Sequence, residues 1–195
     1  MGTVKHSFFI ILASFIFATN LFAGLLDLFS DDSKYKLGNL YYTLDKAIAE
    51  LNEQLTDGLD KKVEDMKKVR LAILPFVNSD QKRSKLGQEI AESLQLKFEK
   101  EGDVTLYDRS KVDGLADKHN LNKNGLLGNL ERKQMAAIMG THTVVAGKIK
   151  PSGNNYIVSA RVVDLQADTV LASGRILVYG SHRHTEKYKT AFDQD

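Results

Sequence analysis

The sequence of 195 residues contains no cysteine and no tryptophan, and it has only two prolines. The lack of cysteine excludes disulfide bonds, thiolate nucleophiles, thiolate metal sites and lipid attachment through an N-terminal cysteine. The sequence also lacks an excess of either charge, because 27 Lys and Arg residues stand against 25 Asp and Glu residues. A chain so close to neutral gives no indication of nucleic-acid binding. Its 43% hydrophobic and 27% charged residues are ordinary for a globular protein.

Residues 1–23 have the layout of a secretory signal peptide. A single lysine, Lys5, precedes an apolar run from Phe8 to Ala18, and Ala23 is the expected last residue of the cleaved segment. The alternative is an uncleaved membrane anchor, because apolar residues continue to Phe29 and a spanning helix needs about 20 of them. Both interpretations predict that the rest of the chain is exported.

The next segment, residues 24–68, is predicted to contain a long amphipathic helix from about Lys34 to Lys68. Gly58 is expected to break or bend this helix, because glycine costs about 1 kcal/mol in a helix interior. The apolar stripe of the helix either packs on the sheet or contacts a partner or a second copy of the chain. The stripe recurs at three- and four-residue steps, and its members are Leu37, Leu40, Tyr41, Leu44, Ile48, Leu51, Leu55, Leu59, Val63 and Met66.

The apolar run from Arg70 to Asn78, RLAILPFVN, is predicted to be the first strand of a sheet. Pro75 disfavours a helix, and the polar cluster after Asn78 ends the run. Apolar residues occupy both alternating sets of positions, which is typical of a strand covered by helices on both faces.

Downstream patterns predict one α/β (α+β) domain over residues 69–180. Its sheet is expected to be mixed and five-stranded, with the first three strands parallel because right-handed crossovers connect them. The last two strands are expected to form an antiparallel meander, helices flank the sheet, and residues 181–195 are a polar, frayed tail. The later predicted strands are Val104–Tyr107, Thr143–Ile149, Tyr156–Leu165 and Val170–Tyr179. The predicted helices are Ser84–Lys100, which ends at Gly102, a short helix after Ser110, and Leu130–Ile138.

The residue types that carry nucleotide binding or nucleophilic catalysis do not occur in the required patterns. Gly125 and Gly128 lack the Gly-Lys-Ser/Thr that a phosphate-binding loop needs. Ser110 follows Asp108 and Arg109, but no glycines flank it as in a nucleophile elbow. We therefore expect Ser110 to cap a helix, in a capping-box arrangement with the acid three residues later.

The histidines and arginines give equally weak indications of a site. His182 and His184 share a face if their segment is extended, where they could hold a metal, and a solvated tail is the alternative. His119 and His142 each stand alone and are expected at a loop or core edge. Two arginines, Arg109 and Arg161, are expected to pair with acids such as Asp164 or Asp108, or to reach solvent. No catalytic, cofactor-binding or metal-binding residue is assigned, and an enzyme is not expected.

The chain resembles the FlgO-type outer-membrane proteins of bacterial flagella over about Leu44 to Val178. It is also similar to the CsgG-type curli secretion component and to the lipoprotein activators of penicillin-binding proteins. The resemblance lies in the order of the motifs AIAELNEQLTDGL, LAILPFVN, LGQEIAESLQLKFE, VTLYDRSKVDGL, MAAIMGTHTVVAGKI and YIVSARVVDLQADTVLAS.

The resemblance implies a non-enzymatic protein of the periplasm or outer membrane, a structural or assembly factor for flagellar motility or surface appendages. Expected partners are envelope proteins, including flagellar basal-body or outer-membrane components, with a homo-oligomer left open and no nucleic acid or cofactor. The alternatives are activation of a penicillin-binding protein or a role in a curli-like secretion system. Without cysteine, membrane association would be indirect or through an uncleaved N-terminus. A CsgG-type pore would also need extra spanning hairpins, whereas the long strands here complete the sheet.

Overall fold

The computed structural model describes residues 39–80, 82–102, 104–108, 110–111, 114, 140–167 and 169–190. Within these ranges the chain forms one seven-stranded mixed sheet and three α-helices. The strands are β1 (Leu40–Tyr41), β2 (Arg70–Ile73), β3 (Val77–Asn78), β4 (Thr105–Leu106), β5 (Thr143–Ser152), β6 (Asn155–Asp164) and β7 (Thr169–Tyr179). The helices are α1 (Leu44–Asp60), α2 (Lys85–Glu101) and α3 (His182–Lys189), with a 3-10 turn at Met66–Lys68. None of the helices in these ranges has the length and apolarity to cross a bilayer.

The strands lie in the order β1-β7-β6-β5-β2-β4, and β3 also pairs with β5. Strand β2 is parallel to both β4 and β5, while β5, β6 and β7 form an antiparallel meander. The predicted fold class is therefore confirmed, including the parallel first strands and the C-terminal meander. One short strand was not predicted, the edge strand β1, which runs parallel to β7.

The predicted strand Arg70–Asn78 is divided at Pro75 into β2 and β3. Proline has no N–H for the ladder, and the N–H of Phe76 turns away from β5 to donate to the carbonyl of Gly87 in α2 at 3.3 Å. The Phe76 side chain is completely buried. A Cβ at Gly147 of β5 would overlap the Phe76 ring, so this glycine makes the room for the ring.

The core lies between the inner face of the sheet and helices α1 and α2. The inner positions of β5, β6 and β7 alternate with outer ones, and they contribute Val145, Ile149, Tyr156, Val158, Ala160, Val162, Ala172, Ile176 and Val178. The stripe of α1 faces them with Ala47, Ile48, Leu51, Leu55 and Leu59, all at 0% exposure. Full burial of each leucine or isoleucine stabilises the fold by about 1.5–3 kcal/mol. The stripe packs on the sheet, as one of the two interpretations predicted, and it is not available to a partner.

The predicted N-terminal helix is wrong in two respects. Leu40 and Tyr41 form a strand, and α1 covers only Leu44–Asp60. Gly58 does not break the helix but lies inside it, where a Cβ would come 2.7 Å from the Cβ of Ala172. The glycine therefore lets the helix approach β7 closely.

Both ends of α2 form as predicted. The Ser84 hydroxyl caps the helix by accepting from the Gly87 N–H at 3.2 Å. Gly102 ends the helix with φ +71°, a conformation that favours glycine. The predicted signal peptide, Arg109, His119 and the predicted helix at 130–138 lie outside the described residues.

Residues 181–190, the described part of the predicted tail, are not frayed. The Ser181 hydroxyl accepts from the His184 N–H at 3.3 Å and begins α3. The helix is attached to the domain by the Asn78 amide, which donates to the Tyr188 carbonyl at 2.9 Å. Glu89 of α2 also pairs with Lys187. Polar contacts and the packing of the Tyr188 ring on Tyr156 therefore attach a helix that has few apolar residues.

Candidate functional site: the open edge of the sheet

The two C-terminal histidines do not form the metal site that an extended segment would have allowed. They lie two residues apart in α3, a spacing that points side chains in different directions. His182 is exposed, whereas His184 is buried with its Nδ1 at 2.9 Å from the Tyr179 carbonyl oxygen. Within the described ranges, no group of three or more His, Asp or Glu side chains could hold a metal ion.

The remaining candidate residues have structural positions. The Asp108 carboxylate accepts from the N–H and the hydroxyl of Ser110, at 2.9 and 2.6 Å, and these bonds hold the pKa of Asp108 below its ordinary value. His142 is exposed and its carbonyl accepts from the Leu165 N–H at 2.6 Å. Arg161 lies in the middle of β6 with 6% exposure, so the expectation that it reaches solvent is wrong.

The Asp164 carboxylate, which was expected as a partner for arginine, caps the turn after β6. It accepts from the N–H groups of Gln166 and Ala167 at 2.8 and 3.0 Å. These contacts order the hairpin that leads into β7. The described candidates are therefore dispersed over the fold and do not converge on one site.

The outer edge of β7 is paired with another strand over only part of its length among the described residues. On one side β7 pairs with β6, with a register shift between Val162 and Val163. On the other side, within the described ranges, β1 pairs with Leu177 and Val178. Below β1, one side chain of α1 and one from the residues just after it make bonds that a neighbouring strand would make. The Gln54 Oε1 accepts from the Arg175 N–H at 2.8 Å, and the Lys62 Nζ donates to the Val170 carbonyl at 2.7 Å.

A groove lies along this free edge, open to solvent, with a volume of about 490 Å³. One wall is the edge strand, from Val170 to Ser173, and the other is the C-terminal half of α1 and the residues just after it. We call this surface the edge groove: the outer edge of β7 from Val170 to Arg175, together with Gln54, Asp57, Gly58, Lys61 and Lys62.

The outward flank of α1 beside the edge groove is acidic. The helix contains five acids and one base, Lys46. Four of the acids recur at three- and four-residue steps and so lie along one flank: Glu50, Glu53, Asp57 and Asp60. None of them belongs to the ion pairs found between described residues. Lys46 lies four residues before Glu50, and Lys61, just after the helix, lies four residues after Asp57, so the flank carries an excess of acids together with two cations.

Two exposed tyrosines lie just beyond the β1 pairing, at the end of β1 away from the edge groove. Tyr42 is 71% and Tyr179 42% exposed, and their ring centroids are 5.5 Å apart. Beside them Tyr41 hydrogen-bonds Glu50, and desolvation together with this bond raises the pKa of Tyr41 above its ordinary value. The Glu50 carboxylate also accepts from the Gln54 amide at 2.8 Å, which orients Gln54 towards β7.

The sequence did not indicate this surface. The acids of α1 were visible inside a predicted helix, but which flank would lie beside a free strand edge depends on the packing of α1 on β7. The strand β1, which covers only the upper part of that edge, is two residues long and has no alternation to detect.

The geometry can now be compared with known proteins. A family model described as FlgO protein matches residues 49–181. The fold is similar to the LpoB C-terminal domain from Salmonella enterica, with a TM-score of 0.54, 15% identity, and coverage of 71% of this chain and 99% of that one. It is also similar to the LpoB C-terminal domain from Escherichia coli, with a TM-score of 0.50, 16% identity, and coverage of 66% and 98%. No curated protein sequence matches. The expected likeness to the CsgG-type component has no support among these matches.

Proposed function

The chain belongs to the FlgO family, and from that premise we propose that it is a non-enzymatic, exported protein of the cell envelope that acts through contacts with other proteins. The observation that carries the proposal is the edge groove. Edge strands with free backbone groups are sites where another chain adds to a sheet. The leucine stripe of α1 is buried in the core, so a partner must contact a different surface, and the edge groove is an exposed one.

The finer proposal is a structural or assembly factor for flagellar motility or surface appendages, in the periplasm or at the outer membrane. Its support is the FlgO family match and the predicted signal peptide. Because the chain has no cysteine, association with the membrane would run through partners or an uncleaved N-terminus.

The second candidate is activation of a penicillin-binding protein. Its support is the fold shared with the LpoB C-terminal domains. A fold by itself does not determine function, so the two candidates must be separated by their partners.

Deletion of the gene, followed by complementation, tests the proposal. We expect reduced spreading in soft agar and altered flagella, both restored by the wild-type chain. In parallel, cross-linking of intact cells would recover basal-body or outer-membrane components under the first candidate and a peptidoglycan synthase under the second. Unchanged motility, flagella and envelope integrity after deletion would refute the proposed function.

A further inference from the structure

We propose that α3 is a latch that opens and closes as a unit while the sheet stays folded, and that the Glu89 carboxylate of α2 makes its opening sensitive to salt. This latch is built from other residues than the edge groove and does not depend on the proposed function. Three features support it: the small apolar contact of α3, the fixed end of β7 before it, and the charges around Glu89.

The helix α3 is too short to be stable alone, and it buries little apolar surface. It has eight residues, and isolated helices shorter than about 12–15 residues are marginal in water. His184 is the buried residue of the helix, and the Tyr188 ring packs on Tyr156 at 5.1 Å. A unit with so few apolar contacts belongs to the low-stability end of a fold. We therefore expect α3 to lose its helical structure when it detaches.

The chain before α3 is fixed independently of the helix. The ladder between β6 and β7 extends to the pair of Asn155 and Tyr179, and the Gly180 N–H then donates to the Asn154 carbonyl at 2.9 Å. A Cβ at Gly180 would lie 2.2 Å from the same carbonyl oxygen, so this close contact needs glycine. Because these bonds involve no atom of α3, the helix can turn away at Ser181 without breaking the sheet.

The first turn of α3 contains basic side chains where a helix prefers acidic ones. The turn holds His182, Arg183 and His184 and no acid, although the N-terminal end of the helix dipole is itself positive. Glu89 of α2 supplies the missing carboxylate. It pairs with Lys187 and with Arg183, whose Nη2 lies 3.6 Å from the Glu89 Oε1. One carboxylate of α2 thus holds two cations of α3.

These two ion pairs are open to screening by salt. The Glu89 side chain is 30% exposed, and the side chains of Lys187 and Arg183 are 27% and 74% exposed. Partly exposed pairs weaken as the ionic strength rises, because the Debye length falls from about 30 Å at about 0.01 M to about 3 Å at about 1 M. Salt therefore favours the open latch.

The other bonds that hold α3 join neutral groups. They run from the Asn78 amide to the Tyr188 carbonyl, from the Lys85 N–H to the Thr190 carbonyl, and from the Tyr156 hydroxyl to the Thr185 hydroxyl, at 2.9, 3.2 and 3.3 Å. Salt screens such bonds far less than ion pairs, so its effect on α3 depends mainly on Glu89. Opening uncovers Tyr156 and Asn78, each 7% exposed in the closed structure, and the salt concentration thus sets how often this surface is available.

Hydrogen exchange of the full-length protein, followed by mass spectrometry at about 20 mM and about 0.5 M sodium chloride, tests the latch. We expect the amides of 182–189 to exchange faster than those of β5–β7 at both salt concentrations, because α3 opens without the sheet. Raising the salt should speed exchange in α3 by about two- to tenfold, the range for one or two partly exposed ion pairs. The protection of β5–β7 should stay unchanged.

Matched variants locate the charge. Glu89→Gln should speed exchange of α3 at low salt by about two- to tenfold and abolish the further acceleration by salt. Lys187→Gln should have a smaller effect of the same kind and add little to Glu89→Gln, because both remove the same pair. The control Glu92→Gln removes the same charge from an exposed position of α2 that belongs to no ion pair between described residues, and its α3 should exchange as in the wild type. None of these substitutions removes a buried group, so each variant should fold.

Three results would overturn the latch. They are exchange of α3 at the same rate as β5–β7, an acceleration by salt in Glu89→Gln equal to that in the wild type, and equal exchange of α3 in Glu89→Gln and Glu92→Gln. None of them bears on the proposed function, which the deletion strain tests separately.

Discussion

Substitution of Gly147 by alanine tests whether the broken first strand depends on one close contact. A Cβ at this position would overlap the ring of Phe76, which is fully buried between β5 and α2 and cannot move into solvent. Overpacking of this kind costs about 1–3 kcal/mol. Alanine in place of glycine in a strand regains about 0.5–1 kcal/mol through the lower entropy of the unfolded chain. We therefore expect Gly147→Ala to lower the free energy of unfolding by up to about 2.5 kcal/mol, the largest difference between these two terms.

The sign of the effect should reverse when the ring is absent. Phe76→Ala alone should cost about 3–5 kcal/mol, because it leaves a cavity. In that background the added methyl group at residue 147 fills space, so Gly147→Ala should stabilise the fold by about 0.5–1 kcal/mol. Urea unfolding, monitored by far-UV circular dichroism, gives the free energy of unfolding of the wild type, the two single variants and the double variant. An unchanged m-value shows that the denatured state is unaltered.

Gly174→Ala is the control for this cycle. There the added methyl group would meet the ends of the Leu51 and Gln54 side chains at 2.8 and 3.1 Å, a less severe overlap than the one with the Phe76 ring at Gly147. We expect a smaller loss than at Gly147. Additive effects of Gly147→Ala and Phe76→Ala, with a coupling below about 0.5 kcal/mol, would refute the argument that Gly147 exists to accommodate the ring.

Three further predictions concern other parts of the fold. Ser84→Ala should lower the free energy of unfolding by about 1–2 kcal/mol, measured by urea unfolding, because this buried hydroxyl both caps α2 and donates to the Asn78 carboxamide at 2.9 Å. Tyr188→Ala should release α3, seen as faster hydrogen exchange at 182–189 with β5–β7 still protected, because the ring packs on Tyr156 at 5.1 Å; unchanged exchange would contradict this docking. The hydrogen bond from Lys97 lowers the pKa of Asp45, so its stabilising effect is present above the unfolded pKa of about 3.9 and is lost as pH falls through the folded value. Asp45→Asn should remove that part of the acid dependence of unfolding, and an unaltered pH profile would count against it.

Patterns with several repeats were predictable, and contacts between distant residues were not. The strands β5, β6 and β7 and the helix α2 each repeat their apolar period several times, so their positions followed from the sequence. The helix α3 has almost no apolar period, and its position depends on the Asn78 amide and the Glu89 carboxylate, about 100 residues away. Gly58 also depends on a distant residue. Its low helix propensity predicted a break, but Ala172 packs so closely on the helix that only glycine fits there.

The helix α1 carries buried leucines and exposed acids on two sides of one element. A period of 3.6 residues places Leu51, Leu55 and Leu59 against the sheet, and the same period places Glu53 and Asp57 on the outward flank. The core leucines and the flank acids can therefore be changed independently. Leu55→Ala should lower the free energy of unfolding, and with it any function that needs the folded chain. Neutralising the acids leaves the core packing unchanged. A variant of the flank that loses partner binding at wild-type stability would therefore identify the flank itself, and not the integrity of the helix, as the determinant of recognition.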